Sequence, residues 1–163
     1  PLVWMSRTTA HRIAVPPIVR AIWPRMEGRF GPCGRYRHQR DQYLAPLDPN
    51  FLGAGRCMTD EQGRYTFKTI KPGAYPWGNH FNAWRPNHIH FSLLGDCLAS
   101  RLVTQMYFPG DPLFEYDPIF QAIPQHAREL MIAKFRIDWT EAEFALAYEF
   151  NIILKGRYQT PFE

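Results

Sequence analysis

Trp84-Arg85-Pro86-Asn87-His88-Ile89-His90-Phe91, running on through Leu94, is the stretch on which the reading of this chain turns. Residues 88–94 read as a strand, and on a strand successive side chains point to opposite faces. His88 and His90 therefore point the same way, while Ile89 and Phe91 pack on the other face. Two imidazoles so placed are close enough to share one metal ion. Histidine is a common ligand for zinc, copper and iron, so the pair does not choose the metal. Two core or surface histidines produce the same pattern, so the pair alone carries no function.

Outward from this stretch the chain is punctuated by turns. Residues 101–108 read as the next strand, closed by Pro109-Gly110-Asp111-Pro112. Upstream, Asp60-Glu61-Gln62-Gly63 is a turn signal, and Arg64-Tyr65-Thr66-Phe67-Lys68-Thr69 alternates as a strand does. Residues 71–85 read as a loop rich in proline, glycine and asparagine. Pro124 starts the one convincing helix, about residues 125–135, with Leu130, Met131 and Phe135 at helical spacing. Residues 148–154 make a last strand, stopped by Lys155-Gly156. Residues 1–33 show no sustained period, and Pro16-Pro17, Pro24 and Pro32 interrupt their apolar runs. Short strands joined by long, turn-rich links predict an all-β fold: an antiparallel β-sandwich with long loops and one short helix.

The 163 residues suit one domain, and 45% hydrophobic against 21% charged places the chain among globular proteins rather than disordered ones. No apolar run reaches the roughly 18 residues of a membrane span, so no membrane association is expected. The first residue is Pro1 and no charged-then-apolar leader follows, so no signal peptide is visible in this stretch, and a trimmed start would hide one. Cys33, Cys57 and Cys97 are an odd number with no CxxC spacing, a usage that fits a reducing cytoplasm. Residues 1–40 hold eight arginines, no lysine and one acid, a net +7, so the remainder carries −3 of the total +4. A basic arm is also what a nucleic-acid-binding segment carries. A poorly ordered or foreign terminus is the preferred reading, and no nucleic-acid partner is expected.

The histidine pair needs further ligands, and the usual ones are missing. No HxxE motif or spare acid completes a facial triad, since Asp96 and Asp111 fall in turns. Upstream stand tyrosines instead: Tyr36 in Gly34-Arg35-Tyr36-Arg37-His38, and Tyr75 in Gly73-Ala74-Tyr75-Pro76-Trp77. A phenolate is a hard, anionic ligand that favours a trivalent ion over a divalent one. A tyrosine taken singly, however, more often packs in a core or makes a corner hydrogen bond.

Taken together, these stretches resemble the intradiol ring-cleavage dioxygenases. The likeness also runs through Tyr43-Leu44-Ala45-Pro46-Leu47-Asp48-Pro49-Asn50-Phe51, Arg64 to Gly73, Leu102-Val103-Thr104-Gln105-Met106-Tyr107-Phe108 and Thr160-Pro161-Phe162-Glu163. It covers about residues 34–163 in order and points to the β chain of those members built from α and β subunits. The resemblance implies a non-haem Fe(III) held by Tyr36, Tyr75, His88 and His90. It implies that Tyr75 leaves the metal when substrate binds and that Tyr36 stays. Arg85 matches a residue beside the iron that stabilises anionic character and receives the released tyrosinate, a task suited to a guanidinium that keeps its charge. Gln105 matches a polar neighbour of the metal, and Trp77 and Ile119 match pocket walls around a flat ring. The implied reaction opens protocatechuate with O2, between the two hydroxyl-bearing carbons, to 3-carboxy-cis,cis-muconate. The implied partner is an α subunit in a hetero-oligomer. A catechol or hydroxyquinol 1,2-dioxygenase stands as an alternative, and so does a catalytically silent structural subunit.

Residues 1–33 depart from the family and form a divergent, possibly foreign segment ahead of a catalytic domain at 34–163 that is incomplete at its N-terminal side. Out-of-frame translation with the frame restored near Gly34 accounts for the arginine-rich composition, and a divergent insert accounts for it equally. The family's β chain starts with a longer extension, so a fragment is expected. On either account the sheets are expected to lack central strands.

Overall fold

In residues 88–94 the apolar positions alternate, and the computed structural model makes of them the seven-residue strand at the centre of the molecule. The structure describes residues 2–6, 18–22, 54–77, 81–94 and 102–162, the first two segments by their backbone course. Ten strands occur among them: β1 Leu2–Ser6, β2 Ile18–Ile22, β3 Ala54–Met58, β4 Thr66–Ile70, β5 Tyr75–Pro76, β6 Trp84–Arg85, β7 His88–Leu94, β8 Leu102–Tyr107, β9 Lys134–Phe135 and β10 Ala145–Glu149. They form one sheet in the order β4-β1-β10-β9, a second in the order β3-β2-β7-β8, and the small β5-β6 hairpin. All the pairings are antiparallel except β1 with β10, which runs parallel. The fold is therefore mostly β, with few and short helices.

Both sheets have their central strands, which corrects the expectation from sequence. The backbone of β1 lies between β4 and β10, and that of β2 between β3 and β7. Leu2-Val3-Trp4-Met5-Ser6 is apolar at four successive positions and Ile18-Val19-Arg20-Ala21-Ile22 at all but Arg20, so neither run shows the alternation that marks a strand in sequence.

The helix expected over 125–135 is also corrected. It is one turn, α2, Gln125–Arg128, continued by a 3-10 turn at Glu129–Met131. Ile132 then turns extended and bridges Tyr107, and the Ala133 amide donates to the Tyr107 carbonyl at 2.9 Å. Sheet pairing thus overrides helical spacing, and Phe135 ends in β9. A helix that spacing did not suggest, α1, Pro118–Ala122, opens on an Asp117 cap with proline in its first turn. The last strand sits earlier than expected, and residues 150–154 run on outside a ladder. The Tyr65 hydroxyl donates to the Phe150 carbonyl there at 2.8 Å, and the Ile153 amide donates to Thr160 Oγ1 at 2.8 Å.

The turn at Asp60-Glu61-Gln62-Gly63 forms as read. Asp60 Oδ1 accepts from the amides of Gln62 and Arg64, and Gly63 takes φ 73, a conformation that glycine adopts without a Cβ penalty.

Two apolar clusters flank the β7–β8 pair. Ile89, Phe91, Leu93 and Met106 are sealed into the larger one with Tyr65, Tyr148, Phe150 and Ile152, so it draws on both four-stranded sheets. Each such side chain contributes about 1.5–3 kcal/mol by leaving water. The smaller cluster joins Tyr107 to Phe120 and Met131, with Phe114 and Ile123 against it. It seats the segment that carries α1 beneath the opposite face of β8.

Candidate metal centre

Alternation along β7 sends Ile89, Phe91 and Leu93 into the core and leaves His88 and His90 on the other face. Pairing with β8 sets His88 opposite Tyr107 and His90 opposite Gln105. Four polar side chains thus share one face of two adjacent strands. The imidazole rings of His88 and His90 stand edge to face, 5.1 Å between centroids, and the Tyr75 ring lies 5.9 Å from that of His88.

Residues 71–85, read from sequence as a loop, contain the β5-β6 hairpin. Its register places Tyr75 directly across from Arg85, and the Trp77 amide donates to the Ala83 carbonyl at 2.9 Å. Pro86 and Asn87 then turn the chain into β7. The Asn87 amide donates to Asp111 Oδ2 at 3.0 Å, while Asp111 Oδ1 accepts from the Leu113 amide and caps the 3-10 helix Pro112–Tyr116.

His88 is buried, and its Nδ1 lies 2.7 Å from the Pro86 carbonyl oxygen. That bond assigns the proton to Nδ1, since the carbonyl only accepts, and it leaves Nε2 with its lone pair exposed to the site. Among the described residues, Nε2 of His88 is buried and has no hydrogen-bond partner. Burial first, then the charge of Arg85, holds His88 well below the ordinary imidazole value. The same two causes bring His90 down to about 4. Both rings are neutral at pH 7 and able to donate a lone pair to a metal. Two neutral imidazoles serve several metals, and the tyrosine beside them, whose phenolate favours a trivalent ion, makes the set fit the ferric ion that the family resemblance implied. Among the described residues no group of three His, Cys, Asp and Glu side chains gathers as a metal site. Tyr36 lies outside the described residues, as do Cys33 and Cys97.

Behind the histidines lies a polar network that sequence reasoning saw only in part. Arg85 is 4% exposed and Asp117 0%, and Arg85 Nε donates to Asp117 Oδ2 at 3.1 Å. Arg85 Nη2 donates to Gln105 Oε1, and also to the Tyr107 hydroxyl at 3.3 Å. The Tyr107 hydroxyl has one proton to give, to Gln105 Oε1 at 3.0 Å or Asp117 Oδ2 at 3.4 Å. Burial and then the Asp117 charge push that phenol far up, so it stays neutral. Burial works against the Arg85 charge, but the Tyr107, Asp117 and Tyr75 oxygens outweigh it and raise its pKa. Removing one partner of such a buried ion pair costs about 3–5 kcal/mol.

Of the residues singled out from sequence, the structure therefore brings together Tyr75, Arg85, His88, His90 and Gln105. Trp77 is half-buried, with the Arg85 guanidinium 6.0 Å from its ring centroid. Ile119 stands in the first turn of α1, where its amide donates to Asp117 Oδ1 at 3.0 Å. Asp117 and Tyr107 were missed. Tyr107 shares the face of Gln105 by simple alternation and was within reach of the sequence, whereas the Asp117-Pro118 pair signals only a helix start and not the bond to Arg85.

A histidine pair and a tyrosine held on a mostly β scaffold over a buried arginine define a candidate non-haem metal protein. The model of the family described as Dioxygenase matches residues 30–156. The chain is 71% identical over 131 residues to the protocatechuate 3,4-dioxygenase beta chain of Burkholderia cepacia, covering 80% of this chain and 56% of that one. It is 32% identical over 126 residues to the chlorocatechol 1,2-dioxygenase of Rhodococcus opacus, covering 69% and 47%. The chain thus spans about half the length of these curated relatives. In fold it is similar to the crystal structure of 3-chlorocatechol 1,2-dioxygenase from Rhodococcus opacus, with a TM-score of 0.65, 18% identity, and coverage of 93% and 59%. The dioxygenase domain of a carbohydrate-binding fusion from a Streptomyces species gives a TM-score of 0.60 at 19% identity, covering 98% and 80%. The chain belongs to the intradiol ring-cleaving dioxygenase family.

Among the described residues no helix is long and apolar enough to cross a membrane.

Proposed function

We propose that this chain is the β-type subunit of an Fe(III) intradiol dioxygenase that opens protocatechuate with O2 to 3-carboxy-cis,cis-muconate. The observation that carries the reading is the buried, unpartnered Nε2 of His88 beside His90 and Tyr75. A buried polar atom without a partner costs about 1–3 kcal/mol, a cost that a metal bond removes. Tyr36, Tyr75, His88 and His90 are the proposed ligands, Tyr36 by likeness alone. A ferric ion held there would supply Lewis acidity toward the oxygens of a catechol.

The protein's own groups do the rest. Tyr75 stands on a two-residue strand across from Arg85, so the cation is placed to hold its phenolate when substrate takes its position. Arg85 keeps its charge beside the ring and favours anionic character there. Gln105 orients Arg85 through its Oε1. Trp77 and Ile119 are the proposed walls against the flat faces of the ring. The two sheets, sharing one core, are read as the two layers of a β-sandwich. Residues 34–163 are read as the catalytic domain and residues 1–33 as a divergent segment. The relative named as a beta chain supports an α partner that completes the site, and cysteine usage supports a cytoplasmic assembly.

The test is the visible spectrum of the purified, iron-loaded protein. Tyrosinate-to-Fe(III) charge transfer gives a broad visible band and a coloured protein. A colourless protein that has taken up iron refutes the ligand set and favours a silent structural subunit.

A further inference from the structure

The network behind the histidines contains one carboxylate that works in two directions. Oδ2 of Asp117 accepts from Arg85 Nε at 3.1 Å, and Oδ1 accepts from the Ile119 amide at 3.0 Å and starts α1. Both oxygens belong to a side chain with no exposed surface. Arg85 has an intrinsically flexible side chain, and its pose beside His88 is not fixed by the hairpin alone. The fork geometry of a guanidinium is fixed when Nε and one Nη each have an acceptor. Asp117 is the acceptor at Nε, and Gln105 at Nη2.

We propose that Asp117 is a positioning residue that locks the Arg85 guanidinium toward the histidine pair and, through the same carboxyl group, sets the height of Ile119 against the substrate ring. The inference rests on the dioxygenase reading above. Tyr107 supports it from the side, because its hydroxyl lies within reach of Arg85, Gln105 and Asp117 together, and its ring packs 5.7 Å from that of His88. A helix cap alone does not require this arrangement. Asp111 caps its 3-10 helix from a partly exposed position, and among the described residues no arginine is bonded to it.

The variants Asp117→Ser and Asp117→Asn separate positioning from capping. Serine still caps a helix N-terminus but does not reach the guanidinium, and asparagine keeps the volume while satisfying only one of the two donors. Assayed in the assembled enzyme with an α subunit, both lower kcat by roughly 10- to 100-fold, with KM changing far less, because the misplaced cation acts on the reacting ring. Full kcat in a folded Asp117→Ser variant overturns the proposal. A second measurement needs no variant. In the unsubstituted protein the Arg85 Nε–H, bonded to Asp117, exchanges with water at least about tenfold more slowly than an exposed arginine. Exchange at the exposed rate overturns the proposal even if neither variant folds. If the unsubstituted enzyme cleaves no catechol, it is the functional reading that fails, and the Nε–H exchange still decides the place of Asp117.

Discussion

His88→Leu separates a metal ligand from a structural histidine. In the metal-free protein the change removes a buried, unpartnered Nε2 and relieves about 1–3 kcal/mol. It also deletes the Nδ1 bond to the Pro86 carbonyl and leaves that acceptor unpaired, a loss of about the same size. The two nearly cancel, and leucine is close enough in volume to fill the space among Tyr75, His90 and Tyr107. The metal-free variant is therefore expected within about 2 kcal/mol of the parent. Iron response is where the two proteins part. At a thousandfold excess over its dissociation constant, a metal that binds only the folded state adds about 4 kcal/mol. That corresponds to a Tm rise of roughly 8–16 °C for a chain of this size. The assay is thermal unfolding with and without iron, for parent and variant. The parent shows the rise and His88→Leu does not. A variant that keeps the full iron response refutes His88 as a ligand. One that loses far more than 2 kcal/mol without iron shows that the orphaned Nε2 was wrongly weighed.

Three further outcomes follow from the same structure. Tyr36→Phe loses iron and turnover, whereas Tyr75→Phe keeps iron and turns over slowly; iron content and rate in both variants check this, and equal iron loss removes the distinction. Deleting residues 1–22 takes the strand between β4 and β10 and the strand between β3 and β7, so the truncated chain is expected to be insoluble or to lose its β circular dichroism; a folded, soluble product contradicts the assigned pairing. Burial raises the Glu149 carboxyl, but the Arg136 and Asn151 hydrogen bonds and the Arg136 and Lys134 charges outweigh it and hold the group below its ordinary 4.5. The unfolded chain therefore takes up this proton first as pH falls, and the stabilisation present above about pH 4.5 is lost below it. Arg136→Met flattens that acid slope in urea titrations, and an unchanged slope contradicts the pairing.

How much was legible in advance depended on what each segment answers to. Residues 88–94 announced themselves because one face meets the core and the other the site, which forces strict alternation. The turn at residues 60–63 was legible because Asp60 and Gly63 meet local demands of the backbone. β1 and β2 were not, because their five-residue, nearly continuous apolar runs carry no alternation to read. Residues 125–135 misled because Leu130, Met131 and Phe135 share a helical spacing that the pairing of Ile132 with Tyr107 overrides. Of the site, Tyr75, Arg85, His88, His90 and Gln105 were named from sequence through a family likeness, whereas the spacing of the residues yielded only the histidine pair. Asp117 escaped because its acceptor role depends on an arginine 32 residues away, a partnership that only the folded chain reveals.

The proposed reaction is ring opening between the two hydroxyl-bearing carbons with O2. The most direct measurement is mass spectrometry of the product formed from protocatechuate under 18O2 by the iron-loaded chain assembled with an α subunit. The expected product is 3-carboxy-cis,cis-muconate carrying both labelled oxygen atoms. A product cleaved beside the hydroxyl-bearing carbons, or no product from an assembled, iron-loaded protein, contradicts it.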